Sequence, residues 1–331
     1  MFAIVPPSLV YQWLLPYTDV QNPEVIDHLV VSGSYPSLND LLYAIPVALL
    51  FGLMRLILQS LLFRPIAITA MKLKYSKQVK NLLYDDLLRT FGKVLPNTEK
   101  LQVLCKLRQI DEGKMKKYVW NKRLDRSNDL KLVKFTEALW RFIFYSGFTI
   151  LGYYSLFVPE PVEWVRDTKQ HWMGWPFNTV PITVHYYYLI ELGCYIHQLM
   201  WTEVTRSDAL EMILHHIITI ALIVLSYLTR FSRIGSSILL VHDFADIFLE
   251  AGKCLNYTSK AQGKQHQNGF LSVVVDMIFA AFAISFFVTR LVIFPRYLLY
   301  SLLVEAPAIL SPGNKHSLIK LITVNFSGSQ L

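Results

Sequence analysis

RSDALEMILHHIITIALIVLSYLTRFSRIGSSILLVHDFADIFLEAGKCLNY (206–257) decides how this chain is read. Its first half, 209–228, is a continuous apolar run long enough to cross about 30 Å of hydrocarbon, which takes about 20 helical residues. The second, 234–252, is as long yet carries His242, Asp243, Asp246 and Glu250. An ionisable side chain inside a membrane helix costs at least ~2.5 kcal/mol on insertion scales, so such groups read first as functional. Their spacing is helical. Glu211 and His215 lie four apart and stack on one face, and His216 meets Thr219 at three apart. His242, Asp246 and Glu250 follow one another at i+4, with Asp243 three residues from Asp246. Two helices carrying such stripes bury both only by facing each other or a shared cavity.

The rest of the chain agrees with a membrane reading. Of 331 residues, 53% are hydrophobic and 17% charged, against about 25% charged in soluble proteins; the mean hydropathy is +0.36. A disordered chain, a secreted disulfide scaffold and an ordinary cytosolic enzyme are excluded. Cys105, Cys194 and Cys254 form no CxxC and indicate neither disulfide framework nor zinc ribbon. Further runs of spanning length lie at 41–63, 138–158, 181–200 and 270–289, with a shorter one at 297–310 that reads as a span's stub or an interfacial helix. The fold expected is all-α: a polytopic membrane bundle or barrel of about six to seven spans, with a small cytosolic three-helix insert. Trp164, Trp172 and Trp175, in the outer loop 159–180, read as an interfacial aromatic belt. His185 and His197 read as packing or pore-lining, and His28, His171, His266 and His316 as loop-borne.

Net charge is +8, but residues 64–141 alone carry 19 of the 32 Lys and Arg and 8 of the 24 Asp and Glu. That stretch is therefore +11 and the remainder −3. Basic loops stay cytosolic, a rule that acts through charges near the membrane, here Lys72, Lys74 and Lys77 at one end and Lys131, Lys134 and Arg141 at the other. The organisation expected is a luminal segment 1–40, a first span 41–63, a basic insert 64–131 (64–135 cytosolic), a membrane domain 132–310 and a tail 311–331. Arg230 and Arg233 fall on the outer side and count mildly against this orientation. Inside the insert, leucines at 82, 83, 87 and 88, then at 101, 104 and 107, then Met115, Val119 and Trp120 predict three short amphipathic helices, with Asn97 or Thr98 capping the second. The basic tract YVWNKRLDR (118–126) reads as a solvated face near anionic headgroups. No nucleic-acid partner is expected of a segment tethered by spans on both sides.

Three chemistries compete for the cavity. His and carboxylates ligate metals, but the sequence has one HH pair and one HD where di-iron oxygenases carry HxxHH boxes, so no metal is expected. Histidines also bind helices together through hydrogen bonds, although five ionisable groups on two faces exceed what that requires. A His beside a carboxylate otherwise serves general-base or nucleophilic acyl transfer. No GxSxG accompanies it, so a His would itself be the key group.

The ordered run D-x-x-E-M-x-x-H-H-x-x-T (208–219), R-x-G (233–235), H-D-x-x-D (242–246) and L-E-A-x-K (249–253) resembles the Lag1 motif of ceramide synthases, within the TRAM-Lag1-CLN8 (TLC) fold. LVKFTEALWRFIFY (132–145) is similar to the entry into that domain, and 78–126 resembles the family's degenerate homeobox-like segment. The resemblance implies an endoplasmic-reticulum enzyme that joins a fatty acyl-CoA, as co-substrate, to the amine of a sphingoid base, with no cofactor, in a homo- or heterodimer or alone. It suggests His215 and His216 as base or acyl acceptor, oriented and charge-balanced by His242, Asp243 and Asp246. Glu211, Thr219 and Glu250 would line the substrates, and Arg206 and Lys253 would meet CoA phosphates, with Lys260 and Lys264 nearby.

Two departures stand out. The family continues after about residue 300 with another hydrophobic span and an acidic tail, whereas 311–331 is neither, which suggests a shortened form. Trp120 and Asn121 are adjacent, unlike a base-reading homeodomain. A non-catalytic TLC-type lipid-binding, trafficking or regulatory protein is the alternative; a transporter has no internal repeat to support it. Of two sequons, at Asn256 and Asn325, the orientation leaves Asn256 cytosolic and unglycosylated.

Overall fold

The computed structural model describes residues 38–76, 82–89, 98–158, 161–175, 178–201, 209–262 and 270–310, and their regular elements are helices. They form two compact units, 1–56 with 142–249 and 280–331, and 57–141 with 250–279. A short 3₁₀ turn leads into α1 (Ala44–Leu58), which continues through one π turn into α2 (Arg64–Met71). Then come α3 (Leu82–Arg89), α4 (Thr98–Arg108), α5 (Glu112–Phe157) and the single-turn α6 (Glu163–Arg166). The series closes with α7 (Ile182–Met200), α8 (Ala209–Leu228), α9 (Ser232–Ala261), α10 (Phe270–Phe286) and α11 (Ala306–Leu310).

Among the described residues, three helical runs are long and apolar enough to cross a membrane: Asn39–Met71, Ala209–Leu228 and Phe270–Leu310. The last is one rod of 41 residues where the sequence suggested two pieces. Pro295 lacks an N–H and crowds the preceding turn. The backbone takes it in by widening to π register over Phe287–Leu299 and Ser301–Glu305, the usual accommodation of an extra residue. The first rod runs on to Met71, eight residues beyond the expected end of the span.

In the first unit α7 is the central helix. Tyr187, Tyr188, Leu192 and Tyr195 are buried along it, and so are the polar His185, Glu191, His197 and Gln198. A helix buried all round is a core helix. Gly193 lets α1 approach closely, because a Cβ there would sit 2.8 Å from the Ala44 carbonyl oxygen. Aromatic packing fills the space around it, with Phe144 and Phe148 tilted against each other at 4.4 Å and Phe51 against both. By contrast α8 buries only Ala209, His216, Ile223 and Tyr227. That seam, seven residues and then four apart, lies against α7, and the rest of α8 faces away.

The described residues of 161–180, expected to form an interfacial aromatic belt, fold into a cap. Trp164 and Trp172 are buried; the Trp172 indole donates to Ser301 Oγ at 2.9 Å and that of Trp175 to the Thr229 carbonyl at 2.8 Å. Arg233 lies over the Trp164 ring and donates to the carbonyls of Thr179 and Gln170, both at 2.8 Å. Its charge is thus spent on the loop's own backbone. His171, also buried, is hydrogen-bonded to the Thr168 carbonyl at 2.7 Å.

In the second unit, Leu87 and Leu88 of α3, Leu101 and Cys105 of α4, and Met115, Tyr118 and Val119 of α5 form a small core. Gln109, at φ 53°, ends α4, and Asp111 opens α5 by accepting the Lys114 N–H at 2.7 Å, a side-chain cap. The expected third short helix is the beginning of the 46-residue α5. Trp120 is 68% exposed, because the core takes the Met115–Val119 face and leaves the next residue outside. Asn97 lies outside the described residues.

Candidate functional site

The turn between α8 and α9 sets the site. Arg230 adopts φ 63°, the Phe231 N–H reaches back to the Ser226 carbonyl, and the Arg230 N–H to Tyr227. This left-handed closure ends α8 as a Schellman motif and sends α9 back antiparallel. Residues whose numbers sum to about 461 then lie level across the pair: His215 with Asp246, Thr219 with His242, Ser226 with Gly235. Because α8 packs on α7, a cavity of about 470 Å³ remains between α8 and α9. Its polar end holds His215, Thr219, His242, Asp246 and Arg290; the other end is Leu222, Leu225, Ile234, Phe231 and Leu302. Gly235 is required toward the apolar end. The Tyr188 hydroxyl bonds Ser226 across it, and a Cβ on residue 235 would lie 2.1 Å from that hydroxyl oxygen.

The candidate residues separate into two faces and an outlying group. His215 opens onto the cavity, and among the described residues no hydrogen bond holds its ring. Nδ1 of His242 faces the Ile238 carbonyl at 2.8 Å, so it carries the proton and Nε2 keeps the lone pair; Phe294 supports that ring edge-on at 5.0 Å. Thr219 reaches the cavity while donating to its own helix at the His215 carbonyl, 2.8 Å away. One nitrogen of Arg290 donates both to Asp246 Oδ2 at 2.9 Å and to the His242 carbonyl at 3.1 Å.

His216 and Asp243 point inward. His216 is on the α8 seam, its ring 6.0 Å from that of Tyr195, and Asp243 accepts the Tyr195 hydroxyl at 3.4 Å. Glu191, fully buried on α7, acts electrostatically on Asp243. Glu191, Tyr195 and Arg290 were not singled out in the sequence. The cost of burying charge in a membrane flagged the residues on α8 and α9 and applies equally to Glu191 and Arg290.

Other candidates lie elsewhere. Glu250, in the second unit, pairs with Arg141 Nε at 3.1 Å and Lys253 Nζ at 2.7 Å, which accounts for both Glu250 and Lys253. Glu211 is exposed and is not among the residues lining the cavity. Arg206 and Lys264 lie outside the described residues. Among those described, no three His, Cys, Asp or Glu side chains gather as a metal site.

Residues 134–329 match the TLC domain. The chain is 39% identical over 181 residues to ceramide synthase hyl-1 of Caenorhabditis elegans, covering 54% of this chain and 46% of that one. It is 31% identical over 284 residues to ceramide synthase 5 of Mus musculus, covering 84% and 64%. With ceramide synthase LOH2 of Arabidopsis thaliana it shares 33% over 184 residues, covering 55% and 57%. The matches thus span between about half and two thirds of these relatives' lengths.

Proposed function

The chain belongs to the TLC domain family, and from that premise we propose that it is a ceramide synthase, transferring a fatty acyl group from acyl-CoA to the amine of a sphingoid base. One observation carries the proposal: a cavity beside the apolar α8, with two imidazoles at one end and a mostly apolar wall along the rest. Both substrates bring long hydrocarbon chains, and both react at a polar head. The relatives' names support the same assignment.

His215 is the acyl acceptor in this reading, since it faces the cavity and no hydrogen bond among the described residues holds its ring. Its nitrogen adds to the thioester carbonyl, the C–S bond breaks and CoA departs as the thiolate. A sphingoid ammonium is not nucleophilic, so it first gives a proton to Nε2 of His242, whose tautomer is set by Ile238. The free amine then attacks the acyl carbon, the C–N bond forms and the His215 nitrogen leaves. Of the two protons left on the amine nitrogen, one goes to the thiolate and the other stays as the amide N–H, and His242 releases its own to water. Asp246, level with His215, balances the cationic acyl-imidazolium, and Arg290 fixes that carboxylate. His216 and Asp243 stiffen the wall behind. We place the protein in the endoplasmic reticulum membrane with 64–135 in the cytosol, which puts His215 near the cytosolic end of α8, where CoA arrives.

The test is acyl-CoA-dependent ceramide formation in membranes carrying the full chain. His215→Ala and His242→Ala should each lower it at least a hundredfold while protein level holds, in the range expected for a positioned base or nucleophile. Ceramide output unchanged in both would sink the assignment.

A further inference from the structure

Resting on the acyltransferase reading, we infer that Phe231 is the stop that sets acyl-chain length, and that the cavity admits long-chain rather than very-long-chain acyl groups. The imidazole and charged residues of the lining, His215, His242, Asp246 and Arg290, all lie at one end, so a bound acyl group has its carbonyl at His215 and its methyl end toward the α8–α9 turn. Fourteen residues of α8 separate His215 from Thr229, about 21 Å of rise, which is the reach of an extended long-chain acyl group. Beyond Thr229 the chain itself turns, and Phe231 fills the corner.

That corner is built to resist displacement. The Phe231 ring is edge-on to Trp172 at 5.3 Å and tilted against Trp175 at 5.8 Å. Each indole is itself held by a hydrogen bond, Trp172 to Ser301 and Trp175 to the Thr229 carbonyl. Arg233, two residues on, ties the outer loop down through three of its carbonyls. A wall anchored at this many points cannot shift to admit further methylenes without losing several contacts, and overpacking a well-packed site is disfavoured. Leu302 closes the same end from the last rod. The depth of the cavity is therefore fixed by a side chain at a helix turn.

Membranes carrying the full chain are offered equimolar saturated acyl-CoAs of medium, long and very long chain with one sphingoid base, and the ceramides are resolved by mass. Phe231→Ala should raise the ratio of products two to four carbons longer than the main wild-type product about tenfold or more, as burial of each added methylene implies. Leu302→Trp should move the profile toward shorter chains. An unshifted profile in variants that still make ceramide overturns the stop and leaves the acyltransferase reading standing. No ceramide from the wild-type chain with any acyl-CoA overturns both. If Phe231→Ala fails to accumulate, Leu302→Trp decides alone, and an unchanged profile there counts against the stop.

Discussion

Arg290 shows how one side chain can serve both stability and reaction. Its guanidinium joins Asp246 to the backbone of His242, and removing one partner of a pair held away from water costs far more than removing both. Arg290→Gln should therefore lower the thermal midpoint of the detergent-solubilised protein, by about 3 kcal/mol of stability. Adding Asp246→Asn should recover most of that loss and none of the ceramide formation. Recovery of activity together with stability would show the pair to be structural only. Asp246 was legible in the sequence because it repeats at i+4 with His242 and Glu250; Arg290, on a distant segment at the edge of an apolar run, was not. Glu250 shared that periodicity yet lies with Arg141 and Lys253, since spacing along a helix says nothing about which neighbour covers each turn.

At the scale of elements, α8 and α9 owe their separation to Tyr188 and Gly235. Gly235→Ala would force the Tyr188 ring away from Ser226 and should destabilise the protein by about 1–3 kcal/mol, read as a lower thermal midpoint. Tyr188→Leu in the same chain removes the hydroxyl and the ring atoms that would crowd the new Cβ and should restore part of it. No restoration would mean that the tyrosine is not the obstacle. The apolar lengths identified α8 as a helix and a membrane crossing from sequence alone. They were silent on its seam, because His215 and His216 differ only by the 100° that separates neighbours on a helix; which one meets the cavity depended on where α7 lay. The last rod was misread for a related reason. Pro295 and the short run after it look like an end until the widened turns are seen to carry the helix past them.

For the whole molecule, the family, the all-helical class and the membrane character were in the sequence. The cap was not, since its loop residues are held by contacts with Thr229, Ser301 and Arg233 that no local pattern announces. One consequence is a dependence of stability on pH. Burial holds the His171 imidazole neutral, its pKa lowered from 6.5 to about 4. Above about pH 6.5 neither the folded nor the unfolded chain is protonated there, and no penalty exists. As pH falls toward 4 the unfolded chain takes up the proton first, so stability declines across that window by up to about 3 kcal/mol and levels off below it. Thermal midpoints in detergent from pH 7 to 4 should show this decline, and His171→Gln should flatten it. An equal slope in the variant would assign the effect to other groups.

The π turns around Pro295 carry a last implication, for how such a protein diversifies. A helix with surplus residues in its turns can lose one without breaking, by tightening to ordinary α register. Everything beyond the deletion then rotates by about 100°, which would swing Leu302 off the cavity and bring a different side chain to its floor. A single deletion in this rod, no less than a substitution at Phe231, should thus change which acyl chains the proposed site accepts.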